Sequence, residues 1–336
     1  MTTIPPWVWW NWNIVGDLRY MFQFEFFENA VLAGTIIAIL AGVVSYLVVL
    51  RRSAFAAHAL GHAGFSGAAG AVVFGISPIW GLLVATLSTG TGVAVLGQKA
   101  SHRDVEIGTV LAFMLGLGLL FISWYQGYAT EAYSILFGEI VGIDTAQVEL
   151  TFAMAVAVLV VLSVVYRQLL FASLDEEVAE AKGMHTFVLG LIFMVALAVA
   201  ISIAVTIIGV LLIFALTVTP AAVAVRLVRR PLQAIVVSVV VALLAMWGGL
   251  FLGFYEAEPT SFFIVTIAFA LYVAVRGTQA VVGRFGRRTR AATGVVVTGS
   301  MPSSPDAAAS LPAAAHPELP AVQTASGGGA PARMAR

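Results

Sequence analysis

Charged side chains make up only 10% of this chain, and they fall in short clusters between apolar runs that recur from Glu28 to Arg276. A water-soluble domain covers its exterior with polar groups. A central region this poor in charge, in a chain that is 60% hydrophobic, cannot. Apolar runs of about 20 residues match the hydrocarbon thickness of a bilayer. The expected fold is an all-α, polytopic membrane helical bundle.

The first run, Asn29 to Leu50, stops at Arg51-Arg52. At 1.5 Å per residue it reaches about 33 Å, enough to cross. Further spans are expected at Ser53–Ile76, around Leu82–Leu96, at Val105–Ser123 and at Leu150–Tyr166. The apolar stretch from Thr186 to Val225 is too long for one untilted crossing and is split near Thr206–Gly209. Leu232–Phe254 and Ser261–Val275 complete about nine crossings, or eight if one short helix fails to cross. Tyr133–Ile140 is too short to span and reads as a re-entrant or surface element. Arg167 to Gly183, with Asp175, Glu176, Glu177, Glu180 and Lys182, is expected to be solvent-exposed and to form two or three helical turns.

Lysine and arginine are retained in cytoplasmic loops, which orients the bundle. With the N-terminus outside, Arg51, Arg52, Lys99, Arg103, Arg167, Lys182, Arg226, Arg229, Arg230 and Arg276 all fall inside, and only Arg19 falls outside. The expected location is the cell membrane, multi-pass, with a cytoplasmic C-terminus. Residues 1–28 carry Trp7, Trp9, Trp10, Trp12 and a Phe-rich run, as suits a headgroup-level interfacial segment. They lack the pattern of a cleaved secretory signal, so the first hydrophobic helix is expected to direct insertion. The membrane-spanning core is placed at 29–276. Residues 277–336 begin with Arg284, Arg287, Arg288 and Arg290 and then turn to Pro, Ala, Ser and Gly, the composition of a disordered tail.

Within this frame few residues can carry chemistry. His58 and His62 are four apart in an expected helix and share a face. Neutral imidazoles are borderline nitrogen ligands for zinc, manganese or iron. Two are too few for a structural zinc site. They contact a permeating cation, or hydrogen-bond to neighbouring backbone, or mark the cytoplasmic end of the helix. Around them, Ala59, Gly61, Ala63, Gly64, Gly67 and Ala68 form a small-residue surface that lets helices approach closely. Glu139 attracts a cation from outside if its segment dips into the bilayer, and is an ordinary solvated carboxylate if it does not. Asp144 and Glu149 are weaker candidates. The acidic stretch 167–183 is the best candidate for protein contact, with Leu174 and Val178 as an anchoring side.

The exclusions are as informative. Cysteine is absent, which removes disulfides and thiolate metal sites. No phosphate-binding Gly-rich loop followed by Lys and Ser/Thr is present, and no hydrolase or zinc-protease motif. The chain is expected to be no enzyme, to bind no cofactor and to contact no nucleic acid.

Three blocks carry a resemblance. Arg51-Arg52-Ser53-Ala54-Phe55-Ala56-Ala57-His58-Ala59-Leu60-Gly61-His62-Ala63-Gly64 resembles a basic pair followed by an Asp-Ala-x-Ser-His-Ala pattern. His62 matches its histidine, while His58 stands at the usual aspartate and Gly61 at the usual serine. Leu170 through Gly183 looks like a coupling segment, in which a Phe-containing stretch leads into acids, alanine and a closing glycine. Ile208-Gly209-Val210-Leu211-Leu212 and Thr217-Val218-Thr219-Pro220-Ala221-Ala222 complete the pattern. Together they resemble the membrane subunits of ABC transporters for zinc, manganese or iron.

The resemblance implies ATP-driven import of a divalent transition metal. It implies a homodimer of permeases, an extracytoplasmic metal-binding protein, and cytoplasmic ABC ATPases that hold ATP and Mg. It also assigns coupling to Asp175, Glu176, Glu177, Glu180 and Gly183. The competing readings are a permease for an iron chelate or cobalamin-like substrate, and a membrane scaffold without flux.

Overall fold

The computed structural model describes residues 19–96, 103–124, 138, 140, 142–255 and 259–292, with backbone alone at 103, 211, 255 and 280–292. Among them the chain is all-α: α1 (Glu25–Leu50), α2 (Ala54–Val73), α3 (Pro78–Leu96), α4 (Arg103–Trp124), α5 (Thr145–Leu174), α6 (Glu176–Ala181), α7 (Thr186–Ile208), α8 (Val210–Leu227), α9 (Pro231–Tyr255) and α10 (Thr260–Ala292). The chain divides into two compact units, Met1–Phe285 and Gly286–Arg336. Of the second, only the helical backbone through Ala292 is described.

Among the described residues, seven helices are long and apolar enough to cross a membrane: α1, α3, α4, α5, α7, α9 and α10. The expected count of nine is therefore not reached on length and composition. The two helices that fall short are α2 and α8. Histidine and glycine dilute the apolar character of α2, and the apolar stretch of α8, Leu212–Leu227, is short. Much of α2 is buried within the bundle, where side chains need not match lipid.

Several boundaries also differ from those expected. Helix α5 runs through Arg167 to Leu174 because Leu169 and Ala172 continue its buried face. The charged stretch is thereby reduced to the six-residue α6 instead of two or three turns. Helix α10 continues past Val275 to Ala292. Near the start of the chain, Phe24, Phe26 and Phe27 gather around Phe254, with centroids 6.1, 6.5 and 5.3 Å away.

Helices α1 and α7 are the most enclosed of the seven, and α4 and α10 the least. Helix α1 is fastened to α9 at two levels. Trp247 Nε1 donates to Thr35 Oγ1 at 2.9 Å and Ser238 Oγ to the Gly42 carbonyl at 2.8 Å. Gly42 itself lies so close to Val239 that a Cβ there would sit 2.6 Å from its Cα. Toward α8, Ser45 Oγ accepts from Ala221 N–H at 3.1 Å. Pro220, just before it, has no N–H and disturbs the intrahelical ladder, so a buried hydroxyl from a neighbouring helix satisfies the backbone there.

The tightest approach joins α2 to α3. A Cβ on Gly67 would collide with the Gly81 carbonyl, and one on Gly81 with the Gly67 carbonyl. Lipid supplies no hydrophobic drive between helices, so such contact is a main source of association. We expect Gly67→Ala to destabilise the bundle by about 3 kcal/mol, the upper end for overpacking, because backbone cannot move aside as a side chain can. The check is thermal stability of the purified variant in detergent. An unchanged melting temperature would refute it.

Candidate functional site

Helix α2 places His58 and His62 one turn apart, and their rings meet edge to face with centroids 4.6 Å apart at 87°. The His58 ring also lies edge-on to Phe214 of α8, 4.9 Å between centroids. Both histidines are half-buried. Neither imidazole hydrogen-bonds to protein among the described residues; the Ser66 hydroxyl donates to the His62 backbone carbonyl, not to the ring. The backbone-bonding alternative thus finds no partner among the described residues. Two adjacent rings with open nitrogens offer ligands to a cation or to water.

The break between α7 and α8 sets where α8 meets this helix. Gly209 adopts φ 81°, ψ 162°, a region that in practice only glycine occupies. The split expected at Thr206–Gly209 occurs here. Gly138, also at positive φ (79°), abuts the break: a Cβ on it would lie 2.5 Å from Gly209 N and Ile207 O. Past the break, Val210 and Ile213 pack over Gly61 of α2. The missing side chain at Gly61 lets α8 close on the histidine helix, where serine would intrude.

No group of three or more His, Cys, Asp or Glu converges among the described residues. Glu139 lies outside the described residues, although its neighbours Gly138 and Ile140 pack at the bundle, Ile140 being buried. Asp144 caps α5 by accepting from Gln147 N–H at 2.8 Å. Glu149 is exposed on the same helix.

Sequence reasoning missed a second polar feature. The Thr86 and Ser202 hydroxyls, on α3 and α7, bond to each other at 2.5 Å in the buried core. Beside them is a crevice of about 60 Å³ between α3, α5 and α7, whose lining includes Gln147, Thr151, Ser202 and Thr206. That volume admits water, which needs roughly 10–15 Å³ per molecule on this measure. Single hydroxyls in apolar helices carry no sequence signal, because Ser and Thr commonly bond to their own helix.

The acidic connection divides its residues between two tasks. Asp175 caps α6, accepting from Val178 N–H at 3.0 Å. Glu180 Oε1 accepts from Thr186 Oγ1 at 2.5 Å, tying α6 to the start of α7. Gly183 at φ 80° ends α6 with paired backbone bonds, Gly183 N to Glu180 O (2.8 Å) and Met184 N to Ala179 O (3.1 Å). Those bonds are a Schellman stop that requires a left-handed residue. Lys182 lies over the Phe171 ring, 4.7 Å to its centroid. Three of the five residues expected to couple are therefore committed to shaping the corner. Glu176 and Glu177 project into solvent.

The anchoring side also differs from expectation. Ala179 is fully buried, while Leu174 and Val178 are exposed at 73% and 43%. A six-residue helix can bury only one small face, and Ala179 occupies it. This leaves Leu174, Val178, Glu176 and Glu177 as an outward apolar-and-acidic surface.

Known proteins share this architecture. The model of the ABC 3 transport family matches residues 23–278. The manganese import system permease protein ScaB of Streptococcus gordonii is 27% identical over 76% of this chain and 93% of that protein. The manganese transport system membrane protein MntC of Listeria monocytogenes is 27% identical, covering 66% and 79% respectively. Among solved structures, PsaBC from Streptococcus pneumoniae in complex with Fab superposes with a TM-score of 0.70 at 26% identity, covering 78% of this chain and 95% of that one.

Proposed function

The chain belongs to the ABC 3 transport family as a membrane permease subunit, and from that premise we propose that its cargo is a divalent transition-metal ion taken up at the expense of ATP hydrolysed in a separate subunit. Two permease copies form the transport unit, an extracytoplasmic binding protein delivers the ion, and cytoplasmic ABC ATPases carry ATP and Mg. The observation that carries the reading is the His58–His62 pair, half-buried on an interior helix with its ring nitrogens open. Relatives named for manganese transport and import support the substrate class.

Two nitrogens per subunit make a weak site, and a second copy's pair would bring the total to four. Weakness suits a transporter, since the ion must leave again. Between the candidate metals, imidazole nitrogens at both positions favour zinc over manganese, which prefers carboxylate oxygen. Glu139 is a further candidate for the outer part of the path.

The proposed topology has nine crossings, with α2 and α8 crossing as interior helices, the N-terminus outside and the C-terminus in the cytoplasm. Its parts are the interfacial segment 1–28, the permease domain 29–276 and the cytoplasmic tail 277–336. Helix α6 then faces the cytosol. There Glu176, Glu177, Leu174 and Val178 meet the ATPase, while Asp175, Glu180 and Gly183 hold the helix in place. ATP binding would bias two packings of the bundle through this contact.

The test is reconstitution with the ATPase in proteoliposomes, followed by uptake with zinc, manganese and iron in competition. Uptake of free divalent ion with metal-stimulated ATP hydrolysis is expected. Flux of a chelate alone would overturn the cargo assignment, and an assembled complex without flux of any kind would favour a scaffold.

A further inference from the structure

The positive-inside bias accounts for arginines at one end of the bundle, but not for the seating of Arg226 against α10. Tyr272, Arg276 and Gln279 occupy positions i, i+4 and i+7 of α10 and so share one face. That face is seated on the end of α8: Gln279 Nε2 donates to the Arg226 carbonyl at 2.7 Å, and the Arg226 guanidinium lies over the Tyr272 ring, 5.6 Å to its centroid. Arg276 lies between these two positions along α10, so the packing sets Arg226 against the helix face that also carries Arg276. Arg229 and Arg230 follow in the exposed turn before α9.

Among the described residues no anion of the protein answers them. From Ala181 to Tyr255 and from Pro259 to Pro305 the chain contains no Asp or Glu. None of the four arginines forms an ion pair among the described residues. Like charges gathered without a counter-ion repel one another, and an external anion removes that cost.

The surroundings indicate where the anion comes from. Leu232 and Val236 on α9 and Phe269 and Val273 on α10 are all exposed, forming an apolar flank that suits acyl chains. Tyr272 stands where that flank gives way to arginine, the position aromatic residues favour at a membrane boundary. Helix α6 packs elsewhere, against α5 and α7.

We propose that Arg226 and Arg276, flanked by Arg229 and Arg230, bind the phosphate headgroup of an anionic phospholipid. The leaflet, cytoplasmic, rests on the orientation proposed above, but the binding itself does not. Guanidinium suits the phosphate because its planar donors engage two oxygens at once.

The full-length chain, co-purified with its ATPase in neutral detergent, is titrated with phosphatidylglycerol and with phosphatidylcholine of identical acyl chains. Bound lipid is counted by native mass spectrometry. Phosphatidylglycerol should be preferred by about tenfold. The preference should vanish in Arg226→Gln/Arg276→Gln and largely survive in Arg226→Lys/Arg276→Lys. Equal retention by wild type and the glutamine variant overturns the proposal. So does displacement of the lipid by inorganic phosphate, which would make the ligand a free anion. Loss of the ATPase with lipid preference intact would instead assign the arginines to the subunit contact. If the glutamine variant fails to fold, the wild type decides: its preference must weaken as salt is raised, and a salt-independent preference refutes the site.

Discussion

Alanine at His62 is expected to reduce metal uptake roughly 10- to 100-fold, at least the loss in affinity seen when a residue supporting a metal ligand is removed. The variant should still assemble, because the His62 ring makes no hydrogen bond that the bundle depends on. His58→Asp is the more discriminating experiment. It places a hard, charged oxygen ligand beside His62, and the preference between metals should move toward manganese by about tenfold. Uptake of radiolabelled manganese with zinc as competitor reads the shift directly. Unchanged kinetics in both variants would reduce the pair to packing against Phe214.

The second large effect is expected at the α6 surface. Glu176→Lys/Glu177→Lys reverses the two carboxylates that the corner does not use, leaving the Asp175 cap and the Glu180–Thr186 bond in place. Like charges brought against a basic partner surface cost several kcal/mol, so about 3 kcal/mol, near 100-fold in ATPase affinity, is expected. Co-purification of the ATPase and coupled uptake should both fall, while the amount inserted in membranes stays the same. A double variant that binds its ATPase normally would move the contact elsewhere. Glu180→Gln is the useful companion, since an amide oxygen can still accept from Thr186. It should be far milder.

These contrasts mark how far the sequence reaches. The helical class, the positions of most spans and the break at Gly209 follow from residue types in order. A long apolar run, a glycine in mid-run and an arginine pair act on the backbone locally. The extents of α5 and α10 were misread because both ends continue a helix through charged residues, and only packing reveals that Leu169 and Ala172 still face protein. Leu174 and Val178 were misassigned for a related reason: with six residues, the direction of α6 is set by its capping bonds and by Ala179, not by apolar periodicity.

Sequence alone determined that this chain is an all-α membrane protein with a histidine pair on one helical face and an acidic connection between two spans. Those properties depend on composition and on spacings of three or four residues, which the helix converts directly into geometry. Only the tertiary structure decided that the two imidazoles meet edge to face beside Phe214 and that Asp175, Glu180 and Gly183 build the corner. It alone seated Arg226 against the Tyr272 and Gln279 face of α10, about fifty residues away in the chain. Such outcomes depend on which helix faces which, and in a bilayer that choice comes from close packing and a few buried hydrogen bonds, neither of which a linear pattern encodes.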